Sequence, residues 1–264
     1  MRSRTANLST QSFRYLEAGQ GRPLVLLHGF PLSAEQWLPQ LAQVPAGWRF
    51  IAPDLRGFGG ADPGLVPNGI TMDSYAKDVV ELMLHLDVST AVVAGLSMGG
   101  YVALAVARRA PMRLAGLVLA DTRATADTPE AREARDRMLV ILERDGPDGV
   151  AREMLPKLTG VTSQRDLPDL HDAIRQIIRS NTPAGLAAAI RAMKDRPDST
   201  ALLPTLSCPT TIVCGTEDVI TPPAESEGMQ RMIPGARLIV LPDAGHLSNL
   251  ENAEAFTAAL VEGR

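Results

Sequence analysis

One six-residue stretch, Gly95-Leu96-Ser97-Met98-Gly99-Gly100, limits the folds open to this chain. It joins an apolar run, Ala91-Val92-Val93-Ala94, to a helix-like run, Tyr101-Val102-Ala103-Leu104-Ala105-Val106-Ala107. A buried strand, a sharp turn and a helix explain that order of residues. Glycines at 95 and 99 let the two sides of the turn approach as a Cβ would not allow. Such a turn strains the backbone at Ser97 and lifts its hydroxyl clear of the sheet. The Met98 amide opens the helix, so a donor and a helix dipole point where an oxyanion would form.

Strand–helix alternation continues on both sides of this turn. Ser12 to Ala18 reads as an edge strand, paired with a segment within Thr5 to Ser9. Leu24-Val25-Leu26-Leu27 is a continuous apolar run, as expected for a strand covered on both faces. It leads into His28-Gly29-Phe30-Pro31-Leu32. Ser33 then caps a short helix carrying Trp37, Leu38 and Leu41. Arg49-Phe50-Ile51-Ala52 is the next strand. After it, a helix beginning beyond Thr71 buries Tyr75, Val79, Leu82, Met83 and Leu86 at helical spacing. The strand leading to Ser97 follows, and Leu114-Ala115-Gly116-Leu117-Val118-Leu119-Ala120 forms the sixth strand, ending at Asp121.

The rhythm breaks from Thr122 to about Leu203, a stretch rich in Glu, Arg and Ala with no convincing strand. Pro129, Pro147, Pro156, Pro168, Pro183 and Pro197 separate its amphipathic segments. It reads as a helical lid over residues 122–203, with a core made of residues 1–121 and 204–264. Met138, Leu142, Met154, Leu158, Ile174, Ile178, Leu186 and Met193 are its inward-facing residues, a minority of which should line a pocket. Alternation resumes with Thr210-Thr211-Ile212-Val213-Cys214, a helix from Pro223 to Ile233, a strand at Arg237-Leu238-Ile239-Val240-Leu241 and a helix from Ala253 to Val261. The fold class is therefore α/β, with a mostly parallel central sheet flanked by helices. Functional groups belong at the carboxyl ends of its strands.

At 264 residues and 45% hydrophobic content, the chain supports a sizeable core. Its net charge of −4 argues against a nucleic-acid partner. No stretch approaches the roughly 20 apolar residues of a membrane span. Residues 1–22 lack the apolar core of a secretory signal, so a cytoplasmic protein without a membrane partner is expected. Cys208 and Cys214 read as buried thiols rather than a disulfide framework. No His, Cys or carboxylate cluster has metal-ligand spacing, so neither metal nor cofactor is expected.

A serine hydroxyl needs a base within hydrogen-bond reach, and the chain offers four histidines. His85 lies inside an amphipathic helix and His171 in the lid. His28 follows a strand, where a structural hydrogen bond is its natural task. His246, in Asp243-Ala244-Gly245-His246-Leu247, follows the last strand and opens on the same sheet edge as Ser97. It is the candidate base. Asp218, in Gly215-Thr216-Glu217-Asp218, also follows a strand and is the preferred orienting carboxylate. Asp121 and Glu217 compete for that role. The second oxyanion donor is assigned to the Phe30 amide, because Pro31 has no N–H to offer.

These motifs, with Asp54-Leu55-Arg56-Gly57-Phe58-Gly59, resemble the α/β-hydrolases over nearly the whole chain. Within that superfamily the chain is similar to small esterases, cofactor-free haloperoxidases or perhydrolases, and 3-oxoadipate enol-lactonases. Gly60 and Ala253 depart from the family pattern, which usually carries serine and proline there. The resemblance implies a Ser97/His246/Asp218 triad and an acyl-enzyme mechanism on a small, mostly apolar ester or lactone. Serine at the turn excludes the aspartate-nucleophile branches. Carbon–carbon bond hydrolysis and perhydrolysis use the same triad, and a ligand receptor with little turnover is the rival of another class. Trp37, Met138, Leu142, Met154, Ile174, Met193 and Leu247 are the expected substrate contacts. The lid arginines Arg132, Arg135 and Arg175 either meet a substrate carboxylate or form a solvated face.

Overall fold

The computed structural model of the chain describes residues 1–8, 12–59 and 69–263. Ser9 and Gly60, both weighed above, lie outside the described residues. Eight strands form one sheet: β1 (Arg2–Asn7), β2 (Ser12–Gly19), β3 (Arg22–Leu27), β4 (Trp48–Pro53), β5 (Ala91–Leu96), β6 (Leu114–Ala120), β7 (Thr210–Gly215) and β8 (Arg237–Leu241). Their spatial order is β1-β2-β4-β3-β5-β6-β7-β8. Strand β2 runs antiparallel to both neighbours, and every other pairing is parallel. The apolar runs explain this arrangement, because β5 and β7 are buried along their whole length and need cover on both faces. The winding reverses between β3 and β5, which opens a crevice at their carboxyl ends.

The helices are α1 (Leu38–Ala42), α2 (Met72–His85), α3 (Met98–Arg109), α4 (Pro129–Leu158), α5 (Val161–Asp166), α6 (Pro168–Arg179), α7 (Pro183–Lys194), α8 (Pro223–Met232), α9 (Ser248–Glu251) and α10 (Ala253–Val261). Thr71 caps α2 through a reciprocal pair with Ser74. Ser33 caps a 3-10 turn, Ala34–Trp37, that leads into α1. Among the described residues no helix is long and apolar enough to cross a membrane. Cys214 is buried, whereas Cys208 is half-buried because it stands just before β7.

Four helices, α4 to α7, separate β6 from β7. Pro129, Pro168 and Pro183 open three of them, where a missing N–H costs nothing. Helix α4 is broken at Gly146 (φ 65°, ψ −160°), just before Pro147. Pro156 was expected to separate two segments, but α4 runs through it to Leu158. It sits in the last turn, so the single backbone bond its ring forfeits falls at the helix end. The two stems of this insertion are tied together. The Ser199 amide donates to Ala124 O at 2.8 Å, and the buried Arg196 guanidinium donates to Thr125 O at 2.8 Å and Asp127 Oδ1 at 2.5 Å. Arg196 also lies over the Tyr101 ring at 4.0 Å, fixing the stems against α3.

Candidate active site

Ser97 stands between β5 and α3 with φ 54° and ψ −113°, a left-handed conformation unusual for a side-chain-bearing residue. The surrounding backbone holds it there. Its amide donates to Ala120 O at 2.9 Å, and its carbonyl accepts from the Thr122 hydroxyl at 2.8 Å. A Cβ at Gly95 would overlap Gly99 O, and one at Gly99 would overlap Leu27 O. Glycine is required at both positions, and the first turn of α3 thereby rests on the end of β3.

The His246 Nε2 lies 2.8 Å from Ser97 Oγ, and its Nδ1 lies 2.8 Å from Asp218 Oδ2. Both His246 and Asp218 are buried, while Ser97 keeps partial exposure. Asp218 accepts four hydrogen-bonding partners: the Ile220 amide (2.8 Å), the Thr221 amide (2.9 Å), the Thr221 hydroxyl (2.6 Å) and His246. Burial works against its charge. The nearby imidazole and the Thr221 bonds outweigh that cost and hold its carboxyl below the usual range. Thr221, fully buried, was missed by sequence reasoning. The available signal was the Asp-x-x-Thr spacing, in which an aspartate accepts from the backbone two and three residues on.

Asp121 takes a different place from Asp218. It accepts from the Gly215 amide at 2.9 Å and from the Ser248 hydroxyl, bracing α9 just beyond His246. Burial, and then the negative charge of Asp218, raises its carboxyl well above the ordinary range. A carboxyl raised on folding contributes fully in acid, where both states are protonated, and loses that contribution as pH rises. Asp121→Asn is therefore expected to raise the urea midpoint near neutral pH, with the gain shrinking in acid. A lower midpoint near neutrality would contradict the buried, raised carboxyl.

His28 is fully buried and neutral, its imidazole pushed down to about 4 by burial. Its Nε2 accepts from the Leu55 amide at 3.0 Å, and its Nδ1 lies 3.0 Å from Gly29 O. It ties the loop after β3 to the loop after β4. His85 is exposed, and His171 pairs with the Thr159 hydroxyl at 2.7 Å. Glu217 accepts from the Thr162 amide at 2.9 Å and hydroxyl at 2.6 Å rather than from His246.

The loop carrying Phe30 lies against Ser97, since a Cβ at Gly29 would stand 3.5 Å from Ser97 Cβ. The Phe30–Pro31 peptide is cis. Among the described residues no acceptor takes the amide of Phe30 or of Met98.

A cleft of about 510 Å³ is walled by Tyr101, Met138, Ile141, Met154 and Ile220 together with the charged Arg123, Asp127, Arg135, Arg137, Glu153 and Lys157, while Ser97, Asp218 and His246 do not line it. Tyr101 lies one helical turn beyond Ser97, and Ile220 two residues beyond Asp218. Met138 and Met154 were expected as substrate contacts and stand on this wall. Leu142, Ile174, Met193, Leu247 and Trp37 do not; each is buried in the apolar core. Trp37 packs on Phe256 of α10 with ring centroids 5.9 Å apart. Arg132, Arg135 and Arg175 pair with Asp195, Asp127 and Asp172. Among the described residues no three His, Cys, Asp or Glu side chains gather as metal ligands.

A reversed α/β sheet, a serine in a left-handed turn at its centre and a buried Asp–His pair beside it define a class. The profile of the alpha/beta hydrolase family matches residues 24–259, and the chain belongs to that family. An esterase structure from Thermogutta terrifontis (malate bound) is 43% identical, with a TM-score of 0.93 over 99% of this chain and 97% of that one. The enol-lactonase structure from Burkholderia xenovorans LB400 is 28% identical, with a TM-score of 0.88 over 98% of both chains. The pimeloyl-[acyl-carrier protein] methyl ester esterase of Neisseria meningitidis serogroup C is 32% identical, over 90% of this chain and 91% of its own. The dihydrolipoyllysine-residue acetyltransferase component of the acetoin cleaving system of Pseudomonas putida is 34% identical over 94% of this chain. This chain spans 65% of the length of that relative.

Proposed function

We infer that this chain is a serine hydrolase that cleaves a carboxylic ester or lactone of a small, mostly apolar substrate through an acyl-enzyme. The observation that carries the reading is the unbroken line Asp218–His246–Ser97, with 2.8 Å at each step. Ser97 Oγ attacks the substrate carbonyl as its proton passes to His246 Nε2. Asp218, accepting from Nδ1, fixes the tautomer and stabilises the imidazolium. The Phe30 and Met98 amides bind the oxyanion, each worth about 3 kcal/mol in the transition state. Collapse breaks the bond to the leaving alcohol, which takes the proton from His246. A water, deprotonated by His246, then attacks the acyl carbon; the bond to Ser97 Oγ breaks, His246 returns the proton to that oxygen, and the acid leaves.

Helices α4 to α7, within residues 122–203, serve as the lid, and residues 1–121 with 204–264 are the catalytic core. Met138 and Met154 contact the acyl group in the cleft beside Tyr101. Relatives named as a methyl ester esterase and an enol-lactonase support both substrate classes. The test is a panel of p-nitrophenyl esters and lactones, together with labelling by a fluorophosphonate. Hydrolysis with a single label on Ser97 is expected. Neither turnover nor label across the panel would overturn the reading.

A further inference from the structure

We propose that Gln36, Gln40 and Asn249 are positioning residues that set the distance between the oxyanion loop and the base loop. The proposal deepens the serine-hydrolase reading and rests on it. All three side chains are fully buried, although glutamine and asparagine are mostly surface residues. Gln36 Oε1 accepts from the Gly29 amide at 2.8 Å, one residue before Phe30. Gln36 Nε2 donates to Asn249 Oδ1 at 3.1 Å, and Asn249 lies three residues beyond His246. Asn249 Nδ2 donates to Gln36 O at 3.0 Å and Gln40 Oε1 at 3.1 Å, and Gln40 Nε2 donates to Asn249 O at 2.9 Å.

The direction of every bond in this chain is forced. A backbone amide can only donate, so Gln36 must turn its oxygen to Gly29 and its nitrogen to Asn249. Asn249 must then accept at Oδ1 and donate from Nδ2, which fixes Gln40 in turn. A network with one permitted orientation holds both loops rigidly, and no charge enters that would perturb His246. Its members lie 213 residues apart in sequence, so the link joins the start of the core to its end. Nothing else in the triad needs these side chains. Their contribution is to keep the Phe30 amide and the His246 imidazole at the separation that the transition state requires.

The experiment compares Gln36→Met, Gln36→Glu and Asn249→Ala in hydrolysis of p-nitrophenyl butyrate. Gln36→Met removes both bonds; Gln36→Glu keeps an acceptor for Gly29 and loses the donor to Asn249. The expected result is a fall in kcat of about 10- to 100-fold for Gln36→Met with KM within about twofold, and a fall at least as large for Gln36→Glu, whose carboxylate would face the Asn249 Oδ1 acceptor. The double variant Gln36→Met/Asn249→Ala should be no slower than the slower single variant, since one linkage is broken only once. Unchanged kcat with a lowered Tm, or losses that multiply in the double variant, would overturn the proposal. If Gln36→Met does not fold, Gln36→Glu decides by the same criterion. Wild-type kcat in the Gln36 variants with an inert Ser97→Ala would remove this proposal alone. Turnover surviving in Ser97→Ala would remove the hydrolase reading on which it rests.

Discussion

Ser97→Ala is expected to abolish ester turnover, lowering kcat by at least about 10⁴-fold, while the fold persists. The residual rate would come from the Phe30 and Met98 amides and from substrate binding. The fold persists because the turn does not depend on the hydroxyl. Glycines at 95 and 99, the Ala120 carbonyl and the Thr122 hydroxyl hold the backbone at φ 54°. Steady-state kinetics together with a thermal melt would check it. Substantial kcat in a folded Ser97→Ala protein would place the nucleophile elsewhere.

Asp218→Asn comes next in size, with an expected loss of about 10⁴-fold in kcat and little change in KM. An asparagine oriented to keep the Ile220 and Thr221 amides at its oxygen would turn its NH₂ toward Nδ1. His246 would then carry its proton on Nε2, facing Ser97, and could not act as base. Asp121→Asn is the control. Its carboxyl accepts from Gly215 and Ser248 instead of from His246, so its kcat should stay within about tenfold of wild type. Equal losses in the two variants would reopen the assignment of the acid.

Much of this site could be read from the chain because its parts are local in sequence. The turn around Ser97 is a strand, two glycines and a helix in one stretch, so its place and shape are legible there, although Ala120 O and the Thr122 hydroxyl complete its support. His246 and Asp218 each follow an apolar strand, and parallel topology carries both to one sheet edge. Thr221, Gln36 and Asn249 were not legible for the opposite reason. A glutamine at position 36 has no local feature separating it from a surface residue until its partner, 213 residues away, is in place. Helix α9 was missed because four residues are too few to show a period. Trp37, Leu142, Ile174 and Met193 were apolar positions on amphipathic stretches, and Leu247 an apolar residue in the loop beside His246. Such a pattern marks the side that is covered, but not whether protein or substrate covers it.

The Glu251 carboxylate takes the Gly160 amide at 2.7 Å, the Gly245 amide at 2.9 Å and the Leu247 amide at 3.2 Å. Leu247 also donates to Leu158 O at 2.9 Å, and a Cβ at Gly245 would collide with Gly160. The middle of the insertion is thus riveted to the two residues that flank His246. For anyone building chimaeras, the insertion carries a fixed pin at 158–162, and the α6–α7 junction is held to the core as well, through Asn181 to Pro31 O and the Gly59 amide. A transplant cut at the outer stems alone would leave the recipient's imidazole without its seat.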